Sequence, residues 1–225
     1  MLKSIINTFL PETCNSCQLA LSDNESCICT DCRHYLPVTD FHKNNNDFVK
    51  KIFYGRILIE HATALLRFEK KGIAQRLIHN LKYRKQQQVG TFLGRWLGKE
   101  LSEIEVYKTI DIVIPVPLHK KKLRSRGYNQ VETFGKEIAL ALKANYLDNV
   151  LLKITNTSSQ VNKKRFARWQ NNKELFCIIN DKAINNKHIL LVDDIITTGS
   201  TIEACSIELN KAKNVKISIA TMAIA

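Results

Sequence analysis

Ile189-Leu190-Leu191-Val192-Asp193-Asp194-Ile195-Ile196-Thr197-Thr198-Gly199-Ser200-Thr201 is an apolar run of strand length ending in two carboxylates and a hydroxyl-rich turn, with a helical pattern beyond it. A strand end places Asp193 and Asp194 at the mouth of a sheet, where open α/β folds bind ligands. The turn can aim backbone N–H groups at an anion, supported by the positive end of the next helix and the hydroxyls of Thr197, Thr198, Ser200 and Thr201. An acid pair beside an anion cradle fits a ligand carrying both a diol and a phosphate, such as a sugar phosphate. Ser and Thr caps and a turn glycine are common singly. The reading rests on their order within one stretch.

The chain has 225 residues and is 44% hydrophobic, enough for one ordinary domain with a small appendage. It carries 34 Lys and Arg against 21 Asp and Glu, a net charge of +13. Such a field attracts polyanions, whether nucleic acid or multiply phosphorylated ligands, and also serves solubility. No uninterrupted apolar window reaches about 18 residues, which excludes a membrane-spanning helix. Residues 1–10 show one apolar face (Leu2, Ile5, Ile6, Phe9, Leu10) stopped by Pro11, a short helix rather than a signal peptide. A cytoplasmic protein is expected.

Seven cysteines are present, five of them between Cys14 and Cys32. An odd, crowded set argues against a secreted disulfide scaffold and for metal. Cys14-x2-Cys17 and Cys29-x2-Cys32 are two knuckles that can close four thiolates around one zinc ion. With no open position left, the role is structural. Cys27 either replaces Cys29 as a ligand or is a spare thiol.

Residues 39–51 turn polar around Asn44-Asn45-Asn46 and read as a linker. The expected division is therefore 1–45, an N-terminal helix and zinc knuckle, and 50–225, the main domain. Residues 62–68 read as a strand. Ile73, Leu77 and Leu81, then Val89, Phe92, Leu93, Trp96, Leu97 and Leu101, mark two amphipathic helices whose aromatics are expected in the core. Lys82, Tyr83, Arg84 and Lys85 form a basic cluster at a helix end, equally suited to the helix dipole and to a ligand.

Residues 110–114 are a strand pattern stopped by Pro115-Val116-Pro117. A basic loop follows, with Lys122, Arg124, Arg126, Tyr128, Asn129 and Gln130, and Asn129 with Glu132 looks like the start of the next helix. This loop should share the ligand-facing edge with Asp193 and Asp194. Its cations suit a diphosphate or a nucleic-acid backbone, and Tyr128 could stack on a base. A second basic segment, Lys163 to Trp169 with Arg165 and Arg168, suits single-stranded nucleic acid or an amphipathic helix burying Phe166 and Trp169. Residues 150–154 and 175–179 read as strands and 216–220 as a last, alternating one. Cys177 and Cys205 read as buried packing.

Residues 189–201 resemble the phosphoribosyl-diphosphate loop of type I phosphoribosyltransferases. Together with the cysteine knuckle, Pro115-Val116-Pro117-Leu118-His119, Arg126-Gly127-Tyr128-Asn129-Gln130 and Leu81-Lys82-Tyr83-Arg84, they resemble the ComF family of phosphoribosyltransferase-like proteins. One departure is Lys85, where that family usually has glycine. The resemblance implies an α/β fold of type I phosphoribosyltransferase kind, a mostly parallel sheet flanked by helices, with a small four-cysteine zinc module. It implies that Asp193 and Asp194 hold ribose hydroxyls, that residues Thr197, Thr198, Gly199, Ser200 and Thr201 hold the 5′-phosphate, and that Mg²⁺ bridges the ligand's oxygens. It further implies handling of single-stranded DNA in natural competence. An active phosphoribosyltransferase acting on a nitrogen nucleophile is the alternative, for which the residues name no base and no acceptor pocket. A third reading, from the small size and N-terminal place of the knuckle, is a scaffold docking on a membrane-associated DNA-uptake machine.

Overall fold

The computed structural model describes residues 11–44, 46–154 and 175–225. The expected N-terminal helix over 1–10 and the basic segment with Arg165 and Arg168 lie outside the described residues. The elements are α1 (Thr30–His34), α2 (Phe48–Lys51), β1 (Ala62–Arg67), α3 (Ile73–Tyr83), α4 (Gln88–Ser102), β2 (Ile112–Pro115), α5 (Lys120–Arg126) and α6 (Glu132–Leu142). They continue with β3 (Asn145–Tyr146), β4 (Leu151–Ile154), β5 (Leu175–Ile178), β6 (His188–Ile196), α7 (Ser200–Leu209) and β7 (Lys216–Ile224). Among the described residues no helix is long and apolar enough to cross a membrane.

Five strands form one parallel sheet in the order β1-β7-β6-β2-β3. Side chains alternate across a strand, and a parallel sheet is covered on both faces. Leu190 and Val192 of β6 accordingly join Val113, Leu65 and Met222 beneath α3, α4 and α6. Ile189 and Leu191 join Ile112, Ile114 and Ile219 beneath α7 and the segment around Phe41, Val49 and Phe53. The mostly parallel α/β class read from the sequence is what forms. The chain leaves β2 for α6 on one face and β6 for α7 on the other, so the crevice between β2 and β6 is the switch point of the sheet.

Several local expectations are corrected. The last strand runs to Ile224 with every residue after Lys216 buried, because both faces are covered. The stretch read as a linker is packed: Phe41 and Val49 are buried, and Thr39 N–H bonds Leu65 O at 3.0 Å. Its asparagine run obscured the apolar positions on either side of it. The basic loop after β2 is helical over Lys120–Arg126 and ends at Gly127 with φ 85°. Helix α6 starts at Glu132 rather than Asn129, whose side chain instead donates to Val116 O at 3.0 Å. Strands β4 and β5 pair antiparallel with each other, apart from the main sheet. Cys205 is buried as expected, whereas Cys177 is only partly so. Phe92 and Trp96 are also half-buried, with the Arg33 guanidinium 5.9 and 5.5 Å from their ring centres.

Helices α4 and α6 pack unusually closely. Gly90, Gly94 and Gly98 recur at four-residue spacing, the period of one helix face. A Cβ at Gly94 would stand 2.6 Å from Phe134 O and 2.9 Å from its Cα, both backbone atoms that cannot swing aside. In an open helix Gly→Ala gains about 1 kcal/mol, but overpacking typically costs about 1–3 kcal/mol. Gly94→Ala is therefore expected to lower the unfolding free energy by roughly 1–2 kcal/mol in urea titrations; a stabilised variant would contradict the close contact.

Candidate functional site

The rim of the sheet brings together three of the sequence-predicted segments. Strand β6 carries Asp193 and Asp194, which are 8% and 4% exposed. An ion so placed must be compensated. Lys82 near the end of α3 reaches Asp194 Oδ1 at 2.9 Å, and Gln130 Nε2 donates to Oδ2 at 2.6 Å. Arg126 donates in turn to Gln130 Oε1, and the Asp194 N–H donates to Asp193 Oδ1 at 2.8 Å. Residues 112 and 64 positions away in the chain thus meet on one carboxylate.

Tyr128 is not the stacking platform that its basic neighbours suggested. The residue is 8% exposed and its hydroxyl donates to Leu81 O, tying the turn after α5 to the end of α3. The exposed aromatic here is Tyr83, with the Arg126 guanidinium 5.7 Å from its ring centre. Lys82, Tyr83, Lys85, Lys122, Ser125 and Arg126 line a cavity of about 330 Å³. Arg84 and Arg124 are exposed and outside that lining. Asn129 is held by the backbone, its Oδ1 accepting from Val131 N–H at 3.3 Å.

Past the acids, β6 runs into the turn of Thr197, Thr198 and Gly199, and α7 begins at Ser200. Gly199 adopts φ 77°, a left-handed conformation that L side chains rarely take. Thr197, Thr198 and Ser200 are exposed and Thr201 half-buried. The first N–H groups of a helix have no intrahelical partner, so this turn is suited to an anion. Sequence reading missed Arg56, which bonds Thr198 O at 3.0 Å across 142 residues; no local pattern marks it.

At the N-terminal module, one sulfur of each of Cys14, Cys17, Cys29 and Cys32 lies within 4.8 Å of the others. Cys17 Sγ and Cys29 Sγ are 3.7 Å apart. Thiolates about 2.3 Å from one tetrahedral ion stand roughly 3.8 Å from each other, so this set can hold a metal ion. Burial would raise the Cys14 thiol, but backbone N–H groups of Cys17, Cys29 and Ser16 overcome it and bring the pKa down to about 7. Cys27 is outside the cluster. Burial, then the neighbouring Cys14 charge, push its thiol up to about 12, and Asn15 Nδ2 lies 3.8 Å from its sulfur.

A second donor group was not anticipated: Asp40, His42 and Glu100. His42 Nε2 stands 2.9 Å from Glu100 Oε2, and Lys43 Nζ stands 2.6 Å from Glu100 Oε1 and 2.9 Å from Asp40 Oδ1. Burial holds His42 below the usual imidazole range. The Lys43 ammonium, itself about half exposed, already compensates both carboxylates, which makes this an ion cluster closed among protein side chains.

No protein-family model matches the chain. Competence protein F of Haemophilus influenzae is 30% identical over 139 residues, covering 60% of this chain and 61% of that protein. The DNA utilization protein YhgH of Escherichia coli is 26% identical over 131 residues, 56% of each chain. The chain thus spans less than two thirds of the curated relatives it matches. A crystal structure of adenine phosphoribosyltransferase aligns at 16% identity and TM-score 0.40 over 67% of this chain and 75% of that one. A glutamine phosphoribosylpyrophosphate amidotransferase from B. subtilis, complexed with ADP and GMP, aligns at 19% identity and TM-score 0.40 over 63% and 30%. The ComF resemblance carried by the motifs is matched by this similarity to competence and DNA utilization proteins.

The Lys82–Asp194 pair is buried enough to matter for stability. Lys82→Met is expected to lower the unfolding free energy by about 1–3 kcal/mol, since it strands a buried carboxylate. Adding Asp194→Asn should recover part of that loss. Strictly additive losses in denaturant titrations would show that the two side chains are not coupled.

Proposed function

We propose that the crevice between β2 and β6 binds phosphoribosyl diphosphate, and that the basic face beside it binds single-stranded DNA, in a protein of DNA uptake. The observation that carries this is the continuity of two buried acids, a left-handed glycine turn and a cation-lined cavity along one sheet rim. Asp193 and Asp194 would accept hydrogen bonds from the ribose hydroxyls, and Thr197 to Thr201 would hold the 5′-phosphate. Lys82, Lys122 and Arg126 would face the diphosphate. Mg²⁺, when bound, would offset the negative charge of the diphosphate. With both Asp194 oxygens already engaged, it would take few direct protein ligands.

Similarity to competence and DNA utilization proteins supports the DNA assignment. So does the exposed Tyr83 amid cations, a composition that suits unstacked bases. In this reading Arg84 and Arg124 extend the same polyanion surface, Arg165 and Arg168 are nucleic-acid contacts proposed from the sequence alone, the protein acts in the cytoplasm, and the knuckle of residues 1–45 docks on uptake machinery. The second reading is an active phosphoribosyltransferase, favoured by cations beside the acid pair that could stabilise departing diphosphate.

Calorimetry with phosphoribosyl diphosphate and Mg²⁺ is expected to show binding that Asp193→Asn plus Asp194→Asn weakens by at least about tenfold, roughly 1.4 kcal/mol. Equal binding by the double variant would overturn the ligand assignment. Released diphosphate across a panel of nucleobases and amines would establish the transferase reading. Oligonucleotide affinity should fall steeply with salt, and a salt-independent affinity would remove the DNA assignment.

We assign zinc to the four-thiolate cluster, in a structural role because four ligands fill the shell. Metal analysis after dialysis at neutral pH is expected to give about one equivalent in the wild type and in Cys27→Ser, and a loss in Cys29→Ser. Less than about half an equivalent in folded wild-type protein would sink the zinc assignment.

A further inference from the structure

We propose that Arg56 is the positioning residue of the phosphate-binding turn, held from behind by a brace formed of residues 52–56. The inference rests on the ligand reading above. Arg56 Nη1 donates to Thr198 O and to Ile52 O, each at 3.0 Å, while Nε donates to Glu203 Oε2 at 3.0 Å and the second Nη reaches the same oxygen. One guanidinium therefore joins three things: the carbonyl inside the turn, the first turn of α7, and the segment after α2. Its planar fork of five donors allows this, whereas an ammonium on a flexible stem cannot reproduce the same set of angles.

The consequence for the ligand follows from peptide geometry. A trans peptide is planar, with its C=O and the next N–H pointing in opposite directions. Fixing Thr198 O on Arg56 therefore directs the Gly199 N–H away from the brace. Gly199 is backed by the same segment: a Cβ there would meet Phe53 Cε1 at 2.7 Å and Ile52 Cγ2 at 3.0 Å. Phe53 is 1% exposed, so this wall is part of the core. The turn is thus set before any ligand arrives, and binding need not order it.

Binding of ribose 5-phosphate, phosphoribosyl diphosphate with Mg²⁺, and inorganic diphosphate with Mg²⁺ would be compared in wild type, Arg56→Ala and Arg56→Lys. Arg56→Ala is expected to weaken both sugar phosphates by about tenfold, roughly 1.4 kcal/mol, with inorganic diphosphate unchanged, since that group would sit in the cavity by Lys122 and Arg126. Arg56→Lys is expected to recover little. Unchanged sugar-phosphate affinity in Arg56→Ala, full recovery by Arg56→Lys, or equal loss of all three ligands would each overturn the positioning role while leaving the ligand site standing. No sugar-phosphate binding by wild type would instead overturn the ligand reading itself, and this inference with it. If Arg56→Ala does not fold, Glu203→Gln decides. It is expected to weaken ribose 5-phosphate about threefold, and wild-type affinity there would overturn the proposal.

Discussion

A carboxylate at the end of a strand covered on both faces is an electrostatic liability, and Asp194 is such a group at 4% exposure. Leaving a buried ion unpaired costs several kcal/mol, more than the roughly 1.5–3 kcal/mol gained by burying one leucine or isoleucine. The fold around β6 must therefore bring partners to it. Lys82 and Gln130 do so, and their placement fixes where α3 ends and how the turn after α5 is seated. The Tyr128 hydroxyl on Leu81 O ties the same two segments together a second time. Contacts that stabilise the rim and contacts that shape the candidate site are the same contacts.

That arrangement also constrains what can bind. The diol of a sugar is neutral and offers hydrogen-bond donors, so it can satisfy the acids but cannot replace the charge of Lys82. An anionic group on the same ligand can take up that ammonium, and the cavity lined by Lys82, Lys85, Lys122 and Arg126 is where such a group would lie. A ligand carrying both, as in the reading proposed above, would engage the acids with its hydroxyls and the cavity cations with its phosphates. The overall charge of +13 is a weaker guide, because diffuse surface charge is screened over about 8–10 Å at ordinary salt.

Features encoded within a few neighbouring residues were legible in the sequence. The acid pair and glycine turn follow from one thirteen-residue stretch, and the metal-competent cluster follows from two Cys-x-x-Cys spacings. The Gly90, Gly94 and Gly98 spacing was equally readable but has meaning only once α6 is known to lie against it. What failed depended on distance or on burial. Tyr128 sits in a basic stretch and yet points into the core, and the alternation expected of β7 vanishes because its polar-looking positions, Ser218 and Thr221, are fully buried. A lysine-rich run carries no apolar periodicity, so α5 could not be told from a loop. Arg56 and Thr198 are 142 residues apart, and nothing local to either announces the other.

Helix α3 links the two ends of the molecule that carry chemistry. Arg76 Nε donates to Ser16 Oγ at 3.1 Å and Asn80 Nδ2 to Asn15 O at 2.7 Å, both within the first cysteine knuckle. Two residues after Asn80 the same helix presents Lys82 to Asp194. Asn80 is 6% exposed, so its hydrogen bond is made in the low-dielectric interior, where an unmade bond costs more than on the surface. The knuckle is thus fastened to the helix that closes the ligand rim, and Arg33 lies over Phe92 and Trp96 of α4 from the same side. Asn80 and Lys82 stand about half a turn apart on this helix, so one element holds both the first cysteine knuckle and the Asp194 carboxylate.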